Sequence, residues 1–469
     1  MRENYKLYKL VKTFGKQKGE GGNGVQDDEL IRSYMSLVDD SAGENCTKLP
    51  EGLTSIRDRA FYECTNLKLA KLPDSITKIG WNAFYNCPNL QITKLPKNLT
   101  TIDEQAFYKC TNLKLTELPS AVTSIGFSAF ADCPELTITE IPNSVTYLGA
   151  KAFMNCTNLK LNKCSKSITS IENSTFENCS NLELTELSDN ITYIGIRAFY
   201  NCANLALTKL PNSLTIIGES AFAGCVNLNL TKLPNSLIKI GESTFSNCKG
   251  LKTIELPENI TVINRSTFHG CSNLTSVKFL DSLNIIEAYA FRYCEKLETV
   301  KLPKNLMYIY DYVFGDCSNL SKIIFLDVET IPALINISAF SNTPIADGNG
   351  CIFVPSEWIE SFKSASNWSV YADQIRDLSE LHLSSINIVS SDTLNKCMTN
   401  NIQISVKYNE IQNELYYKEE EGYTLSINGN ATIDENGLIT LNEDAQIGDI
   451  ITITAVSTYN NDLMSTKEI

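Results

Sequence analysis

Cysteine has the widest scope for chemistry in this sequence, because a thiol can form a disulfide, bind zinc or act as a nucleophile. The chain has 16 cysteines, of which twelve recur every 23 residues, at positions 64, 87, 110, 133, 156, 179, 202, 225, 248, 271, 294 and 317. Side chains in such a column point the same way, so neighbouring thiols do not face each other as a disulfide requires. No C-x-x-C pair occurs, which argues against zinc. The spacing therefore predicts reduced, buried thiols that pack as small apolar side chains.

Histidines and carboxylates offer little catalytic chemistry. The two histidines, His269 and His382, are too few for a multi-histidine metal cage. His269 lies at a variable place beside Phe268, which is typical of a surface residue. The acidic run Glu419–Glu421 lacks the D-x-[DN]-x-[DN]-G frame of a calcium loop and indicates a solvated loop. We expect no enzymatic activity, no metal and no cofactor.

The cysteines mark a 23-residue repeat, numbered here from the cysteine as position 1, with repeat 1 beginning at Cys64 and repeat 12 at Cys317. Position 4 is always Leu, position 21 is Phe, position 9 is nearly always Leu, and positions 13 and 16 are aliphatic. So short a unit cannot bury an apolar face alone and must stack on its neighbours. The L-x-x-I-x-L-P segment predicts the repeated strand, ended by proline. The A-F-x-x-C segment predicts one 3₁₀ or helical turn on the return side.

Stacking of this unit predicts an α/β solenoid, an arc of about thirteen turns with a parallel β-sheet. We expect it to span residues 46–345. Residues 1–45 form a basic and Gly-rich segment with a short capping helix around Leu30–Val38. Residues 346–378 form a C-terminal cap, in which Ser356 is the N-cap of a helix over Glu357–Ala365.

Residues 379–469 have the alternating pattern of a small all-β domain. From residue 380 onward the chain carries 14 acidic and 4 basic residues. The pattern predicts strands at Ile386–Val389, Ile402–Val406, Tyr423–Ile427, Ala431–Ile433, Leu438–Leu441 and Ile450–Ala455.

A change within the repeat suggests a binding surface. In repeats 1–8, position 6 is Leu or Ile and position 7 is small or polar, whereas repeats 9–12 reverse this order. Two strand registers remain open: either the Leu/Ile column faces solvent in repeats 1–8, or a bulge near position 8 turns it inward. In the second register, the position-7 threonines form an exposed column of hydroxyl groups that suits a glycan ligand. The alternative for this face is that it is solvated and binds no ligand. The candidate residues are Thr93, Thr116, Thr139, Thr185, Thr208, Thr231, Lys94, Lys209 and Lys232.

Charge and hydropathy limit the possible partners. The 469-residue chain has a formal net charge of -14, which argues against nucleic acid or an anionic membrane surface as the main partner. No apolar run in Met1–Asn45 has the length of a signal peptide or a membrane span. We expect a monomeric arc that does not insert into membranes and binds a protein or glycan.

At the repeat, the sequence resembles the BspA-like leucine-rich repeat family. The family unit is C-x-x-L-x-x-I-x-L-P-x-x-L-x-x-I-x-x-x-A-F-x-x, and Cys248–Gly270 reads CKGLKTIELPENITVINRSTFHG. The resemblance implies a non-enzymatic scaffold, in many members a cell-surface adhesin. The runs ATIDENGLIT from Ala431 and ITITAVST ending at Thr458 resemble a bacterial immunoglobulin-like (group 2) domain, which implies a sandwich that acts as a spacer. A phage particle or surface-layer component remains the alternative setting.

Overall fold

The computed structural model describes residue 49, residues 51–380 and nine strand segments between 383 and 468. It divides the chain into two compact bodies. The first comprises Met1–Ile323, Val328–Cys351 and Ser364–Gln374, and the second comprises Ile324–Asp327, Ile352–Lys363 and Ile375–Ile469. The expected N-terminal helix, His382, Cys397 and Glu419–Glu421 lie outside the described residues.

One column of two-residue strands runs through every repeat of the first body, at positions 15 and 16. Within a sheet, each strand pairs in parallel with the equivalent residues of the next repeat, as Ser55 does with Lys78. Three sheets result, ordered β1–β5, β6–β9 and β11–β13–β15–β17. The strands are β1 Ser55–Ile56, β2 Lys78–Ile79, β3 Thr101–Ile102, β4 Ser124–Ile125, β5 Tyr147–Leu148, β6 Ser170–Ile171, β7 Tyr193–Ile194, β8 Ile216–Ile217, β9 Lys239–Ile240, β11 Val262–Ile263, β13 Ile285–Ile286, β15 Tyr308–Ile309 and β17 Ala333–Leu334.

A second strand column, on the L-x-x-I-x-L-P segment, is confined to repeats 9–12. Its members are β10 Thr253–Glu255, β12 Ser276–Lys278, β14 Thr299–Leu302 and β16 Lys322–Phe325. The prediction of this strand is wrong for repeats 1–8, where only isolated bridges such as Glu140 to Lys163 occur among the described residues. The reason is the burial pattern. Positions 6 and 9 are buried there with two exposed residues between them, whereas a strand must alternate, as Thr299–Leu302 does.

The return side is not the predicted helical turn, because positions 19 and 23 have left-handed backbone conformations. Gln105 and Lys109 of repeat 2 have φ of 53° and 58°. Alternate N–H groups therefore point along the solenoid: those of Gln105, Phe107 and Lys109 donate to carbonyls of the next repeat at 2.8–2.9 Å. A 3₁₀ helix does form in the last repeat, at Ile337–Phe340.

On the sheet side the hydrogen bonds run toward the preceding repeat. Thr100 N donates to Thr77 O at 2.8 Å, and Asp103 N donates to Ile79 O at 2.9 Å. Repeat 9 modifies this pattern, because the side-chain amide of Asn264 donates to Ile240 O at 2.5 Å. Elsewhere the equivalent carbonyl accepts from a backbone N–H, as Ile217 O does from Gly241. The sheet is divided at this point, between β9 and β11.

The core is a ladder of phenylalanines at position 21. Successive rings from Phe61 to Phe340 stack nearly parallel, with centroids 5.1–5.9 Å apart. These rings are almost fully buried, together with the position-4 leucines. Stacking of identical residues thus gives the continuous core that the repeat predicts.

The last repeat is covered by residues 364–374 of the same body. Trp368 stacks at a tilt on Phe340, with centroids 6.0 Å apart, and its Nε1 donates to Pro332 O at 2.7 Å. Tyr371 donates its hydroxyl to Ile337 O at 2.6 Å, and Asn367 donates to Leu334 O at 2.7 Å. The cap therefore satisfies carbonyls beside the edge strand as well as covering the aromatic ladder.

In the second body, β18 Cys351–Val354 begins one residue before the body and pairs in parallel with β19 Ile375–Asp377. Ser356 is not the predicted N-cap. A 3₁₀ turn, Ser356–Trp358, begins after Pro355 and leads into the α-helix α1, Ile359–Ser364, whose buried Phe362 packs on Phe325. A short 3₁₀ helix, Leu378–Glu380, follows β19 in this body, and another, Trp368–Gln374, lies in the first body. Because α1 is the only α-helix in the described residues, the α/β class overstates the helix content, and the fold is a β-solenoid.

The C-terminal region forms antiparallel strands, in the orders β20–β22–β23, β21–β26–β25 and β24–β27–β28. All six predicted strands overlap observed ones by three residues or more. Strands β21, β23 and β28 are additional. The bounds are β20 Leu383–Val389, β21 Asn400–Asn401, β22 Gln403–Tyr408, β23 Ile411–Leu415, β24 Tyr423–Asn428, β25 Ala431–Ile433, β26 Leu438–Leu441, β27 Thr452–Ser457 and β28 Met464–Glu468.

Candidate binding surface

The position-7 threonines lie on the surface. Of the two registers that the sequence leaves open, the structure has the one with position 6 turned inward: Ile92, Leu115 and their equivalents are fully buried. Positions 7 and 8 are both exposed in these repeats, on non-strand backbone rather than on the predicted strand. The exposed candidates are Thr93, Thr116, Thr139, Thr185, Thr208, Thr231, Lys94, Lys209 and Lys232.

Adjacent repeats hold these residues in one column. Thr139 O accepts from Asn162 N at 3.0 Å, and Thr231 O accepts from Glu255 N at 2.9 Å. Lys94 lies 3.5 Å from Glu117 of the next repeat, and Lys232 lies 4.0 Å from Glu255. Such exposed ion pairs contribute little stability, so the lysines keep most of their capacity for other partners.

A second threonine column, which the sequence reasoning leaves out, occupies position 14 beside the strands. Each hydroxyl donates to the backbone carbonyl of the equivalent threonine one repeat earlier; Thr100 does so to Thr77 at 3.0 Å. The bond uses the hydroxyl proton and leaves the oxygen able to accept. The recurrence of Thr two residues before the position-16 aliphatic is visible in the sequence. The members with this bond are Thr77, Thr100, Thr123, Thr146, Thr192 and Thr215.

Repeats 9–12 have a different surface on the same sheet. Positions 14 and 15 carry Val262, Ile285, Met307 and Tyr308, of which Met307 is 49% and Tyr308 37% exposed. Ile335, just after β17, is 42% exposed. Exposed apolar residues also occur at these positions in repeats 4–8, where Tyr147 is 55% and Ile238 is 60% exposed. Repeats 9–11 differ in carrying an apolar residue at position 15 of every repeat.

Aromatic rings and guanidinium groups cluster on the turn side of the same repeats. Arg292 lies over the rings of Tyr293, Tyr312 and Tyr289, 4.7–5.5 Å from their centroids. Its Nε lies 2.7 Å from the Asp316 carboxylate. Burial tends to raise the pKa of Asp316, but hydrogen bonds from Asn342 and Arg292 outweigh it and hold that pKa below its ordinary value. These contacts fix the cluster in one conformation.

The cysteine column has no reactive geometry. From Cys87 to Cys317, each position-1 thiol lies 2.9–3.3 Å from the backbone carbonyl of the phenylalanine 26 residues earlier, to which it donates. Burial raises the pKa of the Cys110, Cys271 and Cys317 thiols to about 12. The position-1 cysteines from Cys87 to Cys317 are free, as the spacing predicts. Thiolate chemistry is therefore suppressed in this buried column.

Other reactive groups are isolated. His269 is half-buried rather than fully on the surface, and its ring packs edge-on against Tyr293 at 5.4 Å. Burial, and then the charge of Arg292, lowers its pKa. No group of three His, Cys, Asp or Glu residues in the described part of the chain could hold a metal ion. Among the described helices, none is long and apolar enough to cross a membrane.

Stacked 23-residue turns with a leucine, a phenylalanine and an aliphatic strand in each define a leucine-rich repeat solenoid. The BspA type leucine rich repeat model matches the chain at residues 43–160, 123–252 and 217–346. The chain belongs to this family.

Solved structures with a similar fold include two bacterial leucine-rich repeat proteins. A leucine-rich repeat protein from Bacteroides ovatus is 29% identical, with a TM-score of 0.53 over 69% of this chain and 87% of that one. A leucine rich cell surface protein from Faecalibacterium prausnitzii is 27% identical, with a TM-score of 0.43 over 64% and 89%. A search of curated proteins finds no match. The family and its neighbours are repeat proteins, and this chain is likewise a non-catalytic repeat scaffold.

Proposed function

We propose that this protein is an adhesin-like recognition scaffold that binds a protein or glycan through the exposed side chains of its repeats. The observation that carries the proposal is the placement of equivalent polar residues in columns along consecutive repeats. A periodic surface of this kind presents area rather than a pocket, which suits an extended macromolecule. It acts as a monomer, outside the cell or at its surface.

The position-7 column is the proposed glycan site. Threonine hydroxyls both donate and accept, and the flanking Lys94, Lys209 and Lys232 add cationic donors. Repetition at each turn matches a partner that is itself repetitive. In this proposal the acidic C-terminal strands form an immunoglobulin-like spacer that presents the solenoid. The second candidate is a phage or surface-layer component, favoured by the regular stacking, which would self-assemble instead of binding host material.

Binding to arrays of glycans and host proteins tests the proposal, using wild type and the triple variant Thr116→Lys, Thr139→Lys and Thr185→Lys. We expect loss of binding in the variant with nearly unchanged melting temperature, because all three side chains are exposed. A variant with Ser120→Lys, Asn212→Lys and Asn235→Lys is the matched control. It adds the same three charges at exposed position 11, where Lys97 and Lys166 occur naturally.

Equal loss of binding in both variants would attribute the effect to charge and contradict the site. A large loss of stability in the threonine variant would contradict its surface placement. Self-assembly of wild type without binding to any array component would favour the structural alternative.

A further inference from the structure

The sheet β11–β13–β15–β17 carries an apolar strip, defined here as the half-buried Val262 and Ile285 and the exposed Met307, Tyr308 and Ile335. The first four project from positions 14 and 15 of repeats 9–11, and Ile335 follows β17. The parallel register places Val262 beside Ile285, and Ile285 beside Tyr308. Neighbouring strands are ~4.8 Å apart, so these side chains form one continuous surface.

The solenoid fold does not require apolar residues at these positions. In β1–β4, position 15 is Ser55, Lys78, Thr101 and Ser124, and position 14 is threonine throughout repeats 1–7. The same backbone therefore forms with hydroxyl and ammonium groups facing solvent. Met and Tyr are enriched in the cores of protein interfaces, and contiguous exposed apolar side chains mark binding surfaces. The strip has the composition of a binding surface, although the solenoid fold does not require apolar residues there.

Charged residues beside the strip are mostly acidic. Glu258 precedes β11, Glu287 follows β13 directly, and Asp311 lies two residues after β15. Glu329 is exposed ahead of β17. Three cations lie nearby. Lys239 is exposed at position 15, one repeat before Val262. The Arg265 guanidinium lies over the Tyr289 ring at 4.7 Å, and Lys304 pairs with Asp281 at 3.7 Å.

We infer that the apolar strip binds a polypeptide segment whose apolar side chains are flanked by lysine or arginine. The strip supplies the apolar contact area, and the bordering carboxylates select for positive charge and against a second copy of this acidic chain. The inference deepens the proposed function, on which it rests, by naming a second surface and the class of partner it takes. This surface is distinct from the position-7 threonine column.

Two variants separate the strip from the rest of the sheet. The strip variant carries Val262→Ser, Ile285→Ser, Met307→Thr and Tyr308→Ser, each installing a residue found at the same position in other repeats. The control variant carries Tyr147→Ser, Tyr193→Ser, Ile216→Ser and Ile238→Thr, the same kind of change at the same positions in repeats 4–8. Circular dichroism melts check that both remain folded.

The probes are fluorescent synthetic peptides that alternate leucine or phenylalanine with lysine. Matched peptides replace lysine by glutamate, or the apolar residues by serine. We expect wild type and the control variant to bind the lysine peptide at least about tenfold more tightly than the strip variant does. Wild type and the control variant should also bind the lysine peptide more tightly than they bind either matched peptide. Added salt should weaken the preference for lysine over glutamate.

Equal binding of the lysine peptide to wild type and strip variant would overturn the inference. So would a preference for the glutamate peptide, binding of a neutral oligosaccharide in place of the peptides, or a wild-type dimer in sedimentation that the strip variant lacks. If the strip variant and wild type bind the lysine peptide equally while the Thr116, Thr139 and Thr185 variant still loses array binding, this inference fails and the proposed function stands.

Discussion

Repeats 1–8 and repeats 9–12 share one 23-residue frame but build different surfaces from it. In the first region, position 6 is buried and the L-x-x-I-x-L-P segment lacks a continuous strand. In the second, positions 6 and 7 exchange roles and the segment becomes β10, β12, β14 and β16. The cores of both regions are the same stacked phenylalanines. The comparison shows that a one-residue shift in the apolar pattern changes secondary structure and surface chemistry while leaving the solenoid intact.

The largest effect on stability is expected from the buried column of cysteine thiols, which both regions share. Burial raises the folded pKa of Cys110 and Cys317 to about 12 from an ordinary value near 9. A raised folded pKa stabilises the protein below the unfolded pKa, and this contribution is lost as pH rises from about 9 toward 12. Because the column has many members, we expect the melting temperature to fall steeply above about pH 9, measured by circular dichroism across pH.

Thiol titration provides the companion measurement. Native protein at neutral pH should react slowly, while denatured protein without reductant should release nearly all 16 thiols. Replacing Cys110 and Cys317 by alanine should make the alkaline transition shallower. A flat melting temperature to pH 11, or a denatured count near a quarter of the cysteines, would contradict the buried, reduced column.

The next largest effect is expected when the residue types at position 6 are exchanged between repeats 1–8 and repeats 9–12. Ile138→Thr puts a hydroxyl where the side chain is fully buried and removes apolar volume, so we expect a loss of about 2–3 kcal/mol in urea unfolding. Thr299→Ile makes the reverse change at a half-exposed strand position and should shift stability by less than about 1 kcal/mol. Equal effects of the two changes would show that the regions do not differ in register.

The smallest effect compares ion pairs. Lys94 and Glu117 are highly exposed in the first region, so Lys94→Met should change the free energy of unfolding by less than about 0.5 kcal/mol. Arg292 in the second region is less exposed and contacts three tyrosines as well as Asp316, so Arg292→Met should cost about 1–2 kcal/mol. A chemical denaturation curve in low and high salt checks both; a larger loss at Lys94 would contradict the stated ranking.

The sequence predicted the core better than the backbone. Leu at position 4, Phe at 21 and Cys at 1 identify the buried columns because identical residues at a fixed period must stack. In repeats 1–8 the predicted strand lies on the wrong segment. The spacing of its apolar residues and the proline after it favour a strand only if successive side chains alternate between two faces. The left-handed conformation at position 23 does have a sequence signal, which the prediction of a helical turn left out: most repeats carry Asn, Asp or Gly there, as at Asn155 and Gly224. The surface register depended on whether positions 7 and 8 both face solvent, which only the three-dimensional structure decides.

The two directions of backbone hydrogen bonding have an electrostatic consequence. In an α-helix every peptide dipole points the same way, so the ends acquire opposite partial charges. Here the N–H groups of Thr100 and Asp103 point toward the N-terminus of the solenoid, while those of Gln105, Phe107 and Lys109 point toward its C-terminus. The dipoles of each turn nearly cancel along the axis, so adding further turns builds up no field at either end.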